Sequence, residues 1–154
     1  VITIKRPYIG KFISILYRMA QAFFDKHFET FGVGSGRFSY LLYLYRQEGV
    51  SQDVMAKHFY VDKATTARAM AKLEELGYIR REEDPVDRRA YLVYLTAKGR
   101  DLEPKIRAVL KEWALLLTED LSPEERDVSY QLLKRMAEKA GIAKEQQSYG
   151  QRIM

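Results

Sequence analysis

The sequence predicts a mainly helical chain that carries one small two-stranded β-wing. Three observations point there. Apolar residues recur at spacings of three and four along most of the 154 residues. That period is lost only over Tyr78–Glu83 and Tyr91–Leu95, two short runs rich in Tyr, Val, Ile and Leu. Between those runs, Asp84-Pro85-Val86-Asp87-Arg88-Arg89-Ala90 has the turn-forming composition that joins two strands into a hairpin.

Taken in chain order, the first predicted helix runs from about Tyr8 to Phe31, with Phe12, Leu16, Met19 and Phe23 on one face. Gly32, Gly34 and Gly36 break it, and Ser35 is placed to cap the next helix. That second helix spans about Arg37 to Gln47, carries Phe38, Leu41, Leu42 and Tyr45, and stops at Gly49. Ser51 opens a short third helix with Val54, Met55, Ala56 and Phe59. Asp62 opens a fourth that meets no Pro or Gly until Gly77. At 100° per residue, Thr66, Ala69, Met70, Leu73 and Leu76 of this fourth helix gather on one side, and Ala64, Arg68, Ala71 and Lys72 face away.

After the hairpin, Thr96 caps a long helix with Leu102, Ile106, Val109, Trp113 and Leu116 along a seam suited to another helix. Pro104 is expected to kink it. Ser122-Pro123-Glu124-Glu125 forms a capping box with proline at the first helical position. The helix it starts is expected to reach about Ala140, with Val128, Leu132 and Met136 inward. The polar tail from Ile142 to Met154 is expected to lack structure. Three helices followed by a hairpin make the middle of the chain a winged helix-turn-helix. The expected division is residues 1–34 as an N-terminal dimerisation helix, 35–99 as the DNA-binding domain, and 100–154 as C-terminal dimerisation helices and tail, one structural unit overall.

Composition narrows the function. The chain has no cysteine and two histidines, His27 and His58, which removes disulfides, thiolate metal sites and thiol redox chemistry. No apolar run reaches the ~18–20 residues of a membrane span. The longest candidate, Ile9 to Phe24, is interrupted by Lys11 and Arg18. With no leader-like segment, the expected location is cytoplasmic, away from membranes. No Ser–His–Asp set, phosphate-cradling glycine loop or metal-ligand spacing is present, so no catalytic residue, metal or cofactor is expected. The net charge is +5; residues 1–20 contain Lys5, Arg6, Lys11 and Arg18 without an acid. Such a balance permits nucleic-acid binding without establishing it.

A helix-turn-helix lays its second helix in the major groove, with the first turns reaching base edges. Lys63, Ala64, Thr65, Ala67 and Arg68 occupy those turns here. Arg68 can donate twice to guanine O6 and N7, an alanine methyl can meet a thymine methyl, and Lys72 suits a phosphate. Ala56 is small where the two helices must approach, and Val61 plugs the turn between them. Arg37 and Ser51 are further candidates for the DNA backbone. At the wing tip, Arg88 and Arg89 suit the negative potential of a narrow minor groove. Asp87 is placed to orient the Arg89 guanidinium by a charge-assisted pair.

Several of these stretches carry a resemblance. They are Val50-Ser51-Gln52-Asp53-Val54-Met55-Ala56, Leu73-Glu74-Glu75-Leu76-Gly77-Tyr78-Ile79, Asp84-Pro85-Val86-Asp87-Arg88-Arg89 and Leu92-Val93-Tyr94-Leu95-Thr96-Ala97-Lys98-Gly99. Over about residues 8–140 the chain resembles the MarR (multiple antibiotic resistance regulator) family of bacteria and archaea. The resemblance implies a triangular homodimer whose terminal helices interlock and whose two winged domains bind a pseudo-palindromic operator. It further implies regulation, usually repression, relieved by a small aromatic or phenolic anion. Arg68, Arg89 and Asp87 match the family's recognition-helix arginine, wing arginine and aspartate partner. Ala67 stands where relatives often have Thr or Ser, which removes one expected hydrogen bond. The cysteine of the peroxide-sensing branch and the histidines of the zinc-responsive branch are absent.

Dimerisation is also expected from the apolar surface that a small central domain cannot cover. Phe12, Leu16, Ile106, Val109, Trp113, Leu132 and Met136 are the expected interface, since exposing such side chains costs roughly 1.5–3 kcal/mol each. Two copies would read half-sites about 10 bp apart, or a multiple of that. Phe23, Phe24, Phe28, Phe31, Phe38, Tyr40 and Tyr43 make the first two helices rich in aromatic rings. Arg18 lies beside that density and is the candidate for binding an aromatic carboxylate. A different class of function, a winged-helix protein-interaction module without a DNA role, is opposed by the cations Lys63, Arg68, Lys72, Arg88 and Arg89.

Overall fold

The computed structural model describes residues 8–153, with side chains as far as residue 144. Lys5 and Arg6, part of the basic N-terminal stretch, and Met154 lie outside the described residues. Helix α1 (Ile9–Phe28) continues as a 3-10 turn, Glu29–Phe31, and is followed by α2 (Phe38–Leu44). Strand β1 (Val50–Ser51) leads into α3 (Gln52–His58) and α4 (Lys63–Glu75). Strands β2 (Ile79–Glu83) and β3 (Tyr91–Leu95) form the hairpin, and α5 (Ala97–Thr118) and α6 (Pro123–Ile153) complete the chain. Among the described residues, no helix is long and apolar enough to cross a membrane.

Local chemistry explains most helix starts. The Ser51 hydroxyl accepts from the Val54 N–H at 3.3 Å, Asp62 Oδ1 from the Thr65 N–H at 2.8 Å, and the Thr96 hydroxyl from the Gly99 N–H at 3.1 Å. At α6 the box is reciprocal: Ser122 Oγ accepts from the Glu125 N–H at 3.2 Å, and Glu125 Oε2 from the Ser122 N–H at 2.9 Å. Each such cap is worth about 1 kcal/mol. Ser35 departs from the expectation. Its backbone N–H donates to Asp25 Oδ1, and α2 begins after Arg37 without a side-chain cap. Gly77 ends α4 with φ 78°; its N–H donates to the Glu74 carbonyl and the Tyr78 N–H to the Leu73 carbonyl, turning the chain into β2.

One core joins α1–α5 and the sheet. Phe24 and Phe28 of α1, Leu41 and Leu44 of α2, Met55 of α3, Met70 and Leu73 of α4, Ile79 and Val93 of the sheet, and Leu102 and Ile106 of α5 are all buried in it. Gly99 lets α5 sit directly on the hairpin, because a Cβ there would overlap the Tyr78 carbonyl. Helix α5 runs through Pro104, whose missing N–H leaves the Arg100 carbonyl without its intrahelical donor.

Four further features differ from the expectations of the sequence. The sheet has three antiparallel strands in the order β1-β3-β2, with Val50 opposite Val93 and Ile79 opposite Leu95. A two-residue strand is too short to show a period. Helix α6 continues through Ile153, because nothing after Gly141 is strong enough to stop a helix already propagating. Ile106, expected at a subunit interface, is 0% exposed and packs within the chain's own core, as does Leu102. Val109 and Trp113 are half-buried against that same core. Conversely, Val128, Leu132 and Met136 do not point inward: all three are exposed on α6.

Glu48 completes the short edge of the sheet. Where β1 has no residue left to pair, Glu48 Oε1 accepts from the Leu95 N–H at 2.6 Å and from Arg100 Nη2 at 3.0 Å. Burial opposes the charge, but the Leu95 N–H and the Arg100 guanidinium outweigh it and hold the carboxyl below its ordinary range. Stability from a depressed carboxylate is present above the unfolded value, ~4.3, and is lost as pH falls through the folded one. Glu48→Ala is expected to cost about 1–3 kcal/mol in urea unfolding at neutral pH, by orphaning the Leu95 N–H. The gap to the parent protein should narrow in acid, as protonation removes the charge-dependent part, while the protonated carboxyl can still accept from Leu95. A gap that stays constant to low pH would show that the carboxylate charge is irrelevant.

Candidate nucleic-acid interface

Helix α4 separates two faces. Thr66, Ala69, Met70 and Leu73 are buried, and the buried Thr66 hydroxyl is 3.2 Å from the Tyr40 hydroxyl, which orients the helix on α2. Lys63, Ala64 and Arg68 are exposed, Lys72 is partly so, and Thr65 and Ala67 are half-buried at the margin. The structure thus presents the six sequence-selected positions on one helix, with their polar groups reachable from solvent.

Those polar groups are not idle. Lys63 Nζ donates to Asp53 Oδ2 at 2.6 Å, and Lys72 Nζ to Glu75 at 3.0 and 3.1 Å. Arg68 Nη2 donates to the Thr65 hydroxyl at 2.9 Å, and that hydroxyl donates to Asp62 Oδ2 at 2.7 Å. Thr65 serves Asp62 through both its backbone N–H and its hydroxyl, which together hold the Asp62 carboxyl below its ordinary range. The pairs are exposed, so solvent screens them and little energy opposes exchange for a phosphate or a base.

At the wing tip, Asp84 Oδ1 accepts from the Val86 N–H and Asp87 Oδ1 from the Arg89 N–H, two successive turns that shape the loop. This corrects the expected Asp87–Arg89 ion pair: the Asp87 carboxylate takes the Arg89 backbone rather than its guanidinium. A short side chain reaches the N–H two residues on with ease. Arg88 and Arg89 are exposed, with no ion pair among the described residues.

The wing is fastened to α4 by a residue that does not stand out in the sequence. Arg81 of β2 donates through Nε and Nη2 to Glu74 Oε2, at 3.0 and 2.6 Å. It also reaches Gln52 of α3 at 3.4 Å and lies over the Tyr91 ring. Hydrogen bonding to Glu74 holds the guanidinium still further above its ordinary value. Its signal in the sequence is faint, since one more arginine in a charged strand has no distinctive spacing. The neighbouring Arg80 pairs with Glu82 and covers the Tyr94 ring.

The remaining candidates are placed less directly. Ser51 Oγ is engaged in capping α3, and half-buried Arg37 makes only a long contact, 3.5 Å, to the Gly32 carbonyl. Arg18 is exposed on α1 and donates to Ser14 Oγ at 2.7 Å. The aromatic rings expected to form a pocket beside it are mostly core. Phe24, Phe28 and Tyr40 are buried, and Phe24 and Phe28 pack against Phe38.

The comparisons with known proteins agree with this geometry. A family model described as MarR family matches residues 31–90. A MarR transcriptional regulator from Methanosarcina mazei is 38% identical in its crystal structure, covering 97% of this chain and 100% of that one, with a TM-score of 0.82. The HTH-type transcriptional regulator BilQ of Clostridioides difficile is 29% identical over 101 residues, 66% of this chain and 68% of that protein. A Listeria monocytogenes protein solved in complex with 26mer DNA shares the fold, with a TM-score of 0.86 at 21% identity over 94% of this chain and 97% of that one. The chain belongs to the MarR family of DNA-binding transcriptional regulators, a non-enzymatic family built on the winged helix-turn-helix.

Proposed function

We propose that the chain acts as a homodimeric repressor that binds a pseudo-palindromic operator. In this reading α4 enters the major groove, and Arg88 and Arg89 enter the adjoining minor groove. The observation that carries it is the exposed face of α4, where Lys63, Arg68 and Lys72 are held only by surface partners that DNA can replace. That a Listeria protein of the same fold was solved with 26mer DNA is in keeping with DNA binding by this chain. Arg68 serves base recognition, Lys63 and Lys72 serve phosphates, and Ala64 and Ala67 offer methyl contacts.

Fluorescence anisotropy on a fragment upstream of the chain's own gene tests this. Binding is expected to weaken by about 10³-fold or more between roughly 50 and 200 mM salt, as counterions released from the phosphates rebind. Absence of a shift on that fragment and on a pool of random DNA would overturn the reading. Release by a small aromatic or phenolic anion belongs to the same proposal, with Arg18 as the cation that meets its carboxylate. The exposed guanidinium, held only by the Ser14 hydroxyl, supports that role. A salicylate titration in which Arg18→Ala and the parent protein release DNA alike would remove Arg18 from it.

A further inference from the structure

The turn between α3 and α4 contains Tyr60, the one non-glycine with a left-handed backbone among the described residues, at φ 53°. Such a conformation persists only where its surroundings hold it. Two of the groups that hold it come from far along the chain. Lys144 Nζ of α6 donates to the Tyr60 carbonyl at 2.6 Å. The Tyr60 ring lies flat against Gly141, where any Cβ would overlap ring atoms. Along residues 130–144 of α6, Gly141 is the only buried position. Within residues 130–144 the helix is buried where it meets this turn, at a contact built from an absent side chain, a ring and a lysine.

We propose that this contact is a strut through which α6 sets the position of the recognition helix, making Tyr60, Gly141 and Lys144 positioning residues for DNA binding. Tyr60 stands two residues before Asp62, the cap from which α4 starts. Its N–H donates to the Lys57 carbonyl and the Val61 N–H to the Ala56 carbonyl, so the turn moves with the two helices it joins. On the other side, Gly141 lies about 7.5 Å along α6 from Met136, at 1.5 Å per residue. Met136 belongs to the exposed apolar face that the proposed dimer would cover. A single stretch of helix thereby links the subunit contact to the turn, and the separation of the two α4 helices becomes a property of the strut. This inference rests on the dimeric DNA-binding reading above.

The test uses the full chain with Gly141→Leu, Tyr60→Gly and the double variant. Leucine is a better helix former than glycine, so a defect in Gly141→Leu cannot come from a weakened helix. Sedimentation checks that each variant stays dimeric. Affinity is read on the selected operator and on operators whose half-site spacing is altered by one base pair. Gly141→Leu is expected to lose about 2- to 30-fold in affinity for the correct operator and to discriminate less between spacings. The double variant should be no worse than the worse single one, because both changes break the same contact. Penalties that add, or an unchanged spacing preference, would overturn the strut. Hydrogen exchange at the Tyr60 and Val61 amides, read without DNA, separates the two proposals. Faster exchange in Gly141→Leu supports the strut even if the parent protein binds no DNA, and unchanged exchange defeats it even if the parent binds well.

Discussion

Replacing Leu132 and Met136 together by glutamate is expected to give a folded monomer with an operator affinity about 10²–10⁴-fold below that of the parent, the gain that linking two binding modules supplies. In the single chain Leu132 is 47% and Met136 38% exposed, one turn apart on α6, while Phe12 and Leu16 on α1 are 54% and 40% exposed. Leaving so much apolar surface in water is costly, at about 25 cal/mol per Å². Large exposed apolar side chains in such number on the terminal helices point to an interface. Neither side chain belongs to the chain's own core, so charging them should spare the fold, and glutamate keeps helix propensity. Sedimentation equilibrium at micromolar concentration reads the first half of the prediction and anisotropy the second. A parent protein that is itself monomeric would end the dimer reading, and a variant that remains dimeric would move the interface elsewhere on the surface.

Arg68→Ala should cost about 1–3 kcal/mol, concentrated at one base-pair position in each half-site. The free protein shows why the arginine is both available and aimed. Its guanidinium is exposed, yet the Thr65 hydroxyl, fixed in turn by Asp62, holds one of its nitrogens. One exposed hydrogen bond from the guanidinium to a hydroxyl gives way easily to the two acceptors of a guanine edge. Competitive binding to the operator and to single-base variants is the measurement. Loss confined to one position identifies a base contact. An equal loss on every sequence would identify a phosphate clamp instead and would transfer the specificity to other residues of α4 or to the wing.

The legibility of this protein tracks the range of the interactions. Ser51, Asp62, Thr96 and the Ser122–Glu125 pair announce their helices because a cap and its N–H lie three residues apart. The inner face of α4 is legible for the same reason, since helical geometry alone collects Thr66, Ala69, Met70 and Leu73 on one side. The place of Asp87 at the wing tip is legible too, but its partner is not. Its carboxylate reaches the Arg89 backbone, and composition cannot distinguish that bond from one to the guanidinium. The aromatic residues of the first two helices invite a ligand pocket, yet rings at helical spacing serve a core equally well, and Phe24 and Phe28 do so.

Residue types and their order therefore settle the fold class, the winged helix-turn-helix and the outward face of α4, because each depends on periodicities and caps within a few residues. Which apolar side chains close the core and which stay outside is a different matter. Ile106 and Met136 look alike as members of apolar helical stripes, and only the packing of α5 against α1 and α2 buries the first while α6 leaves the second in water. The same holds for Glu48 and Arg100, 52 residues apart, and for Tyr60 and Lys144, 84 apart. Pairs that distant leave no period to read; they exist because the folded chain returns to itself.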